Sequence, residues 1–216
     1  MAEYYSKNAF LTETEMTVNA KYIYGYLTGR GWTPQAVCGM LGNMETESTI
    51  NPGIWQNLDA GNTSLGYSLV QWTPATKYIN WCNDRDLEPS KMESALQRII
   101  WELENGEQYY QTDDYPLTFA EFKVSTQSVE YLANAFLRNY ERPADQTQPA
   151  RATQALKWYN LLKGSEGSEG GSEGSEPDDS YGELGGNTGG SSGNTTTTKR
   201  SKMPLWLLIS ASKRKV

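Results

Sequence analysis

Two glutamates stand close together in the stretch GNMETESTINPG, residues 42–53. They are Glu45 and Glu47, and one threonine separates them. A helix-end glutamate is typically solvated, but one held at the edge of a cleft can act as a catalytic acid. Side chains two residues apart on a helix lie roughly 200° around its axis. The two carboxyls are therefore not expected to act as neighbours, and periodicity does not choose between them.

The chain contains no histidine, which restricts the chemistry available to it. Catalytic triads built on histidine and histidine-ligated zinc sites are excluded. Hydrolysis must therefore rest on carboxylates, with a serine–lysine pair as the alternative. The cysteines, Cys38 and Cys82, lie on predicted apolar helix faces, so we expect buried thiols rather than a disulfide. They form no zinc signature, and no metal or cofactor is predicted.

Composition divides the 216-residue chain into three parts. Residues 1–163 have a globular composition and are long enough for one core. They carry 19 acidic against 13 basic side chains, which argues against a nucleic-acid partner. Residues 164–198, rich in Gly, Ser, Thr and Glu, have almost nothing to bury and are predicted to be a disordered linker. Residues 199–216, KRSKMPLWLLISASKRKV, form a short basic tail with an apolar centre.

Helical signals dominate residues 1–163. Predicted helix starts are the capping box at Thr12, Thr33-Pro34, Thr73-Pro74 and a second capping box at Ser90, with further helices over residues 129–140 and 149–162. The second helix is predicted to end near Asn51-Pro52-Gly53. Residues 54–72, rich in Gly, Asn and aromatic side chains, predict a small hairpin or an irregular lobe. The expected fold class is α+β, mostly helical, with a small β lobe.

The segment ESTINP, residues 47–52, resembles the E-S-x-Φ-N-P signature (Φ apolar) of lysozyme-like peptidoglycan hydrolases and lytic transglycosylases. Residues 66–74, GYSLVQWTP, resemble their G-x-x-G-L-x-Q-x-x-P stretch, with Ser68 where those proteins prefer glycine. Together with NYERP at residues 139–143, the run over about residues 10–162 resembles the phage tail lysozyme family. It is similar in particular to the lysozyme-like domain of bifunctional podovirus tail-knob peptidoglycan hydrolases.

This resemblance implies roles for the acidic side chains. Glu47 matches the catalytic acid, whereas Glu45 is expected to be a solvated surface acid. The pocket around Glu47 would have walls formed by Met40, Met44, Tyr67 and Trp72. Asp59 is the candidate second carboxylate, with turn formation as the alternative. Without a second acid in the cleft, Glu47 would act alone as acid and then base, which is lytic transglycosylase chemistry.

Further residues are candidates for contact with sugar. The candidate substrate-binding residues are Gln71, Tyr67, Trp72, Trp55 and Tyr78. Gln71 would hydrogen-bond sugar or acetamide groups, with a buried structural amide as the alternative. One or two of the aromatic side chains are expected to line the cleft, and the others to pack in the core. Glu141 and Arg142 are predicted to form a structural ion pair at a helix end, with contact to substrate as the alternative.

The resemblance also implies a biological role. The expected function is that of a virion tail hydrolase that cuts the β-1,4 bond between N-acetylmuramic acid (MurNAc) and N-acetylglucosamine (GlcNAc) in peptidoglycan during cell-wall penetration. The alternatives are a lytic transglycosylase, a non-catalytic glycan-binding tail module, and an endolysin for host lysis. No signal peptide is recognised, so we expect synthesis in the host cytoplasm without one.

The basic tail suggests a partner. Its apolar centre, residues 203–209, is far shorter than the roughly 20 residues of a membrane span. We therefore expect no transmembrane span. Docking on another virion tail protein is the favoured role of residues 199–216, with binding to an anionic surface and a disordered terminus without a partner as the alternatives.

Overall fold

Seven α-helices account for most of residues 3–163, the part of the chain that the computed structural model describes. They are α1 (Glu13–Thr28), α2 (Pro34–Ser48), α3 (Thr76–Asn83), α4 (Met92–Asn105), α5 (Phe119–Val124), α6 (Val129–Phe136) and α7 (Pro149–Lys163). A 3₁₀ turn covers Gln56–Leu58, and a π-helical turn, Leu137–Glu141, continues α6. None of these helices is long and apolar enough to cross a membrane. The predicted linker, 164–198, and tail, 199–216, lie outside the described residues.

The first two predicted helix starts are confirmed. Thr12 caps α1 in a reciprocal capping box with Glu15. Thr33 caps α2, with Pro34 at the first helical position, where its missing N–H costs nothing. The predicted end of α2 lies a few residues too late, because Thr49 takes the left-handed conformation (φ 54°) and stops the helix at Ser48.

The next two predicted starts are wrong. Helix α3 begins at Thr76 with Ala75 as its N-cap, not at Thr73-Pro74. Helix α4 begins at Met92 with Lys91 as its N-cap. The capping box expected at Ser90 does not form; the Glu93 carboxylate instead accepts hydrogen bonds from the hydroxyls of Tyr4 (2.8 Å) and Tyr22 (2.6 Å).

Helix α5 was not predicted. A capping box between Thr118 and Glu121 marks its start. This local signal was present in the sequence, and the helix is only six residues long.

The predicted β lobe is irregular. Residues 54–72 contain two isolated antiparallel bridges, Trp55 with Tyr67 and Tyr67 with Trp72, and no regular strand. Aromatic rings pack the lobe instead: the ring centroids of Trp55 and Tyr67 lie 4.4 Å apart in a tilted pair, and Trp72 stacks on Tyr78 of α3 at the same centroid distance. The domain is therefore mostly helical, as expected, with the minor β element reduced to these bridges.

Helix α2 forms the centre of the core. Its apolar stripe is fully buried and includes Val37, Met40, Leu41 and Met44. It packs mainly against α7 and α6. The two cysteines are buried thiols that are not joined by a disulfide, as expected.

Gly42 allows α2 and α7 to approach closely. A Cβ atom at this position would lie 2.3 Å from the carbonyl oxygen of Arg151 and 2.6 Å from the amide nitrogen of Ala155. Both obstacles are backbone atoms, which cannot rotate away. The close contact brings the side chains at the start of α7 beside those of α2.

Gly42→Ala should therefore destabilise the domain by about 3 kcal/mol, the upper part of the range for overpacked cores. The two helices would have to separate to admit the methyl group. Urea denaturation measures the effect. Gly25→Ala is the matched control, because a Cβ there meets nothing within 4 Å and removes helix-weakening backbone freedom. Equal stabilities of the two variants would contradict the packing described here.

Candidate active site

A cleft of about 310 Å³ opens between the C-terminal end of α2, the lobe and the π-helical turn. Two carboxyls lie in its wall, those of Glu47 and Glu141. Gln71 and Trp72 contribute from the lobe, and Tyr140 from the π-helical turn. The cleft thus combines acidic groups, an amide and aromatic surface, which suits an uncharged polar polymer such as a glycan.

The end of α2 is fixed by the polar residues that follow Glu47. The Ser48 hydroxyl lies 2.8 Å from the carbonyl oxygen of Leu69 and donates a hydrogen bond to it, which ties the helix end to the lobe. The Asn51 amide donates to the carbonyls of Lys7 (2.7 Å) and Ala9 (2.8 Å). These residues of the ESTINP segment therefore hold the backbone in place, and the Glu47 side chain, 15% exposed, is left at the cleft.

Glu47 forms an ion pair with a buried arginine of α7. Its Oε1 accepts a hydrogen bond from Nη2 of Arg151, whose side chain is only 2% exposed. The same guanidinium donates to Oδ1 of Asn43 (3.1 Å) and to Oε1 of Gln148 (2.8 Å). Because these bonds fix the guanidinium, Arg151 in turn fixes the Glu47 carboxylate.

The surroundings of Glu47 differ from the apolar walls expected from the sequence. Met40 and Met44 are completely buried in the core, and Tyr67 packs within the lobe. Of the four expected wall residues, Trp72 alone lines the cleft. The carboxylate therefore lies between an aromatic wall and a guanidinium.

Glu45 is not a solvated acid, contrary to expectation. Its carboxylate accepts hydrogen bonds from Nζ of Lys157 (2.9 Å) and from the Trp158 indole (2.7 Å), and its side chain is 13% exposed. Glu45 does not line the cleft. It is a structural contact between α2 and α7.

We expect Glu45→Gln to leave the cutting of peptidoglycan that the sequence predicts unchanged. The amide oxygen can still accept the Trp158 hydrogen bond, and only the partly exposed ion pair with Lys157 is lost, at a cost of about 1 kcal/mol. Rates on purified peptidoglycan and urea denaturation together test this. A rate loss as large as that of a Glu47 variant would show that Glu45 takes part in the chemistry.

The structure does not bring Asp59 to the cleft. The residue is exposed, and its Oδ2 accepts a hydrogen bond from Nδ2 of Asn62 at 2.8 Å. Its backbone carbonyl accepts from the Asn62 amide at 3.2 Å, which closes a turn. Asp59 therefore acts as a turn former, the alternative considered for it.

The candidate sugar-binding residues divide into two groups. Gln71 and Trp72 line the cleft, whereas Trp55, Tyr67 and Tyr78 pack behind them. Tyr78 is completely buried, and this burial raises the pKa of its hydroxyl well above its ordinary value. The Gln71 amide donates to the carbonyl of Ser68 at 2.9 Å, but its buried Oε1 accepts no hydrogen bond.

Glu141 is not paired with Arg142, contrary to expectation. The Arg142 guanidinium donates instead to the carbonyls of Gln108 and Asn139. Glu141 lines the cleft, and its buried Oε1 has no hydrogen-bond partner. Burial above all, and then the charge of Glu47, raise the pKa of Glu141 well above its usual range.

Comparison with known proteins identifies the family of the chain. Residues 18–162 match the model of the phage tail lysozyme family. The chain belongs to this family. It is 60% identical over 166 residues to Morphogenesis protein 1 of Bacillus phage B103, an alignment that covers 76% of this chain and 45% of the relative. The chain thus spans about half the length of this curated relative.

One side chain that shapes the cleft was not predicted, a buried carboxyl beneath it. Glu102 is 1% exposed and accepts hydrogen bonds from the Trp72 indole (2.9 Å), from Nε of Arg98 (2.9 Å) and from the Tyr140 hydroxyl. Desolvation raises its pKa. Because Trp72 and Tyr140 both line the cleft, Glu102 positions two of its walls. The four-residue spacing of Arg98 and Glu102 was the available signal, but such pairs are usually solvated.

Proposed function

We propose that this phage lysozyme-like protein is a virion tail glycosidase that cuts the MurNAc–GlcNAc β-1,4 bond of peptidoglycan during cell-wall penetration, with Glu47 as general acid. The observation that supports this most is the Glu47 carboxylate, fixed by buried Arg151 in the wall of a cleft. Membership of the phage tail lysozyme family supports the substrate class.

The residues of the cleft suit glycoside cleavage. The glycosidic oxygen takes a proton as its bond to the sugar carbon breaks. Nearby carboxylates stabilise the positive charge that develops on that sugar. Trp72 offers an apolar wall for a sugar ring. Carboxylates perform this reaction without a metal or cofactor.

A lytic transglycosylase is the second candidate. In that reaction the C6 hydroxyl of MurNAc attacks in place of water, and one carboxyl acts first as acid and then as base. Asp59 lies outside the cleft, which removes the partner that the sequence predicted for a hydrolase, and Glu141 is the second carboxyl in the wall. Both reactions require Glu47.

Two measurements test the proposed function. Wild-type protein should lower the turbidity of a suspension of purified cell walls; sedimentation with the walls without clearing would instead indicate a glycan-binding module. Mass spectrometry of purified virions should detect the protein. Its absence from virions, together with wall clearing, would indicate an endolysin.

A further inference from the structure

Glu141 is a second acidic side chain in the wall of the cleft, and the ion pair expected for it does not form. It ends the π-helical turn Leu137–Glu141 and lines the same cleft as Glu47. Its Oε1 is buried and accepts no hydrogen bond. A buried polar atom without a partner costs folding free energy, so its presence calls for a functional explanation.

The charges around Glu141 come from four elements of the domain. Glu47 on α2 and Glu102 on α4 are negative. Arg151 on α7 and Arg142, the residue that follows Glu141 in the chain, are positive. Burial is the largest influence on its pKa and Glu47 the next, and both raise it; the two arginines lower it by less. A carboxyl in this setting keeps its proton at pH values where an ordinary glutamate has lost it.

The two carboxyls of the cleft therefore have contrasting partners. Glu47 accepts a charge-assisted hydrogen bond from Arg151. Glu141 lines the same cleft with one oxygen enclosed and unbonded. Two like charges that share a site do not both ionise freely.

We propose that Glu141 is the proton-holding partner of Glu47, so that the two carboxyls of the cleft enter the reaction with one proton between them. The inference deepens the proposed function and rests on it. It also replaces Asp59 as the second carboxyl of the site.

The reaction takes one proton from the two carboxyls and later returns one to them. As the bond between the sugar carbon C1 and the glycosidic oxygen breaks, its electrons go to that oxygen, which takes the one proton of the two carboxyls. Both carboxylates are then ionised, beside Arg151 and the positively charged sugar. Attack by water, or by the C6 hydroxyl, forms the new bond to C1 and returns one proton to the pair.

The pH dependence of Glu141→Gln tests this role. At pH 7 the variant should lose about 100-fold in kcat/KM on soluble glycan chains, the lower end of acid–base contributions. The alkaline limb of its profile of kcat/KM against pH should move to lower pH, because the Glu141 carboxyl, whose pKa is raised, is gone. Glu141→Asp keeps a carboxyl and should keep a limb in the alkaline range. A uniform loss at every pH, or an unchanged profile, would overturn the proposal.

A second measurement does not depend on turnover. Carbon-13 NMR titration of the Glu141 carboxyl should give a lower pKa in Glu47→Gln than in wild type, because a neutral amide replaces a neighbouring negative charge. An unchanged titration would refute the shared proton. If wild type cuts no glycan, the proposed function fails. If wild type cuts and Glu141→Gln cuts with the same profile, only the present inference fails.

Discussion

Glu47→Gln should abolish the cutting of peptidoglycan and leave binding to it intact. The amide has the shape of the carboxyl and keeps an oxygen that can accept the Arg151 hydrogen bond, but it has no acidic proton to give. General acid–base catalysis contributes about 10²–10⁴-fold. Because Glu47 is proposed to act in both halves of the reaction, a loss of about 10³-fold or more is expected.

The experiment compares Glu47→Gln with Glu45→Gln, which also lies on α2 and also pairs with α7. Clearing of purified walls measures activity, sedimentation with walls measures binding, and thermal unfolding verifies the fold. Only the Glu47 variant should lose clearing. Equal activities of the two variants would remove Glu47 from the chemistry.

Arg151→Met should cause a large loss of stability. It removes a 2%-exposed guanidinium and leaves the Glu47 carboxylate and the side-chain oxygens of Asn43 and Gln148 without their donor. Breaking a buried pair by removing one partner costs about 3–5 kcal/mol. Activity should fall as well, because the carboxylate is no longer held in place.

A double-mutant cycle separates the ion pair from the other contacts of Arg151. In the Glu47→Gln background, Arg151→Met should cost clearly less free energy of unfolding than in wild type, because the uncompensated carboxylate is already absent. Urea denaturation of the four proteins gives the coupling. Additive losses would mean that the pair contributes nothing beyond its separate residues.

Local signals predicted those parts of the fold that depend on neighbouring residues. The starts of α1 and α2 were predictable because a cap and its partner amide lie within three residues of each other. The box expected at Ser90 failed because distant tyrosines occupy Glu93. Tertiary contacts of this kind leave no mark in local spacing.

The sequence likewise predicted only part of the candidate site. The motif selected Glu47, and the helical wheel placed Glu45 on the other edge of α2, where it meets Lys157 and Trp158. Arg151 lies 104 residues beyond Glu47, and nothing in the sequence links the two. Glu141 was interpreted as the partner of its neighbour Arg142, because sequence proximity does not show that a guanidinium turns toward backbone carbonyls.

Mass spectrometry of the fragments released from purified peptidoglycan tests the central claim most directly. A carboxyl-dependent glycosidase should yield GlcNAc–MurNAc units, with MurNAc at the new end either reducing or in the 1,6-anhydro form. The reducing end identifies a hydrolase and the anhydro form a transglycosylase, and neither should arise with Glu47→Gln. Glycan strands that stay intact, or fragments cut only in the peptide stems, would contradict the account.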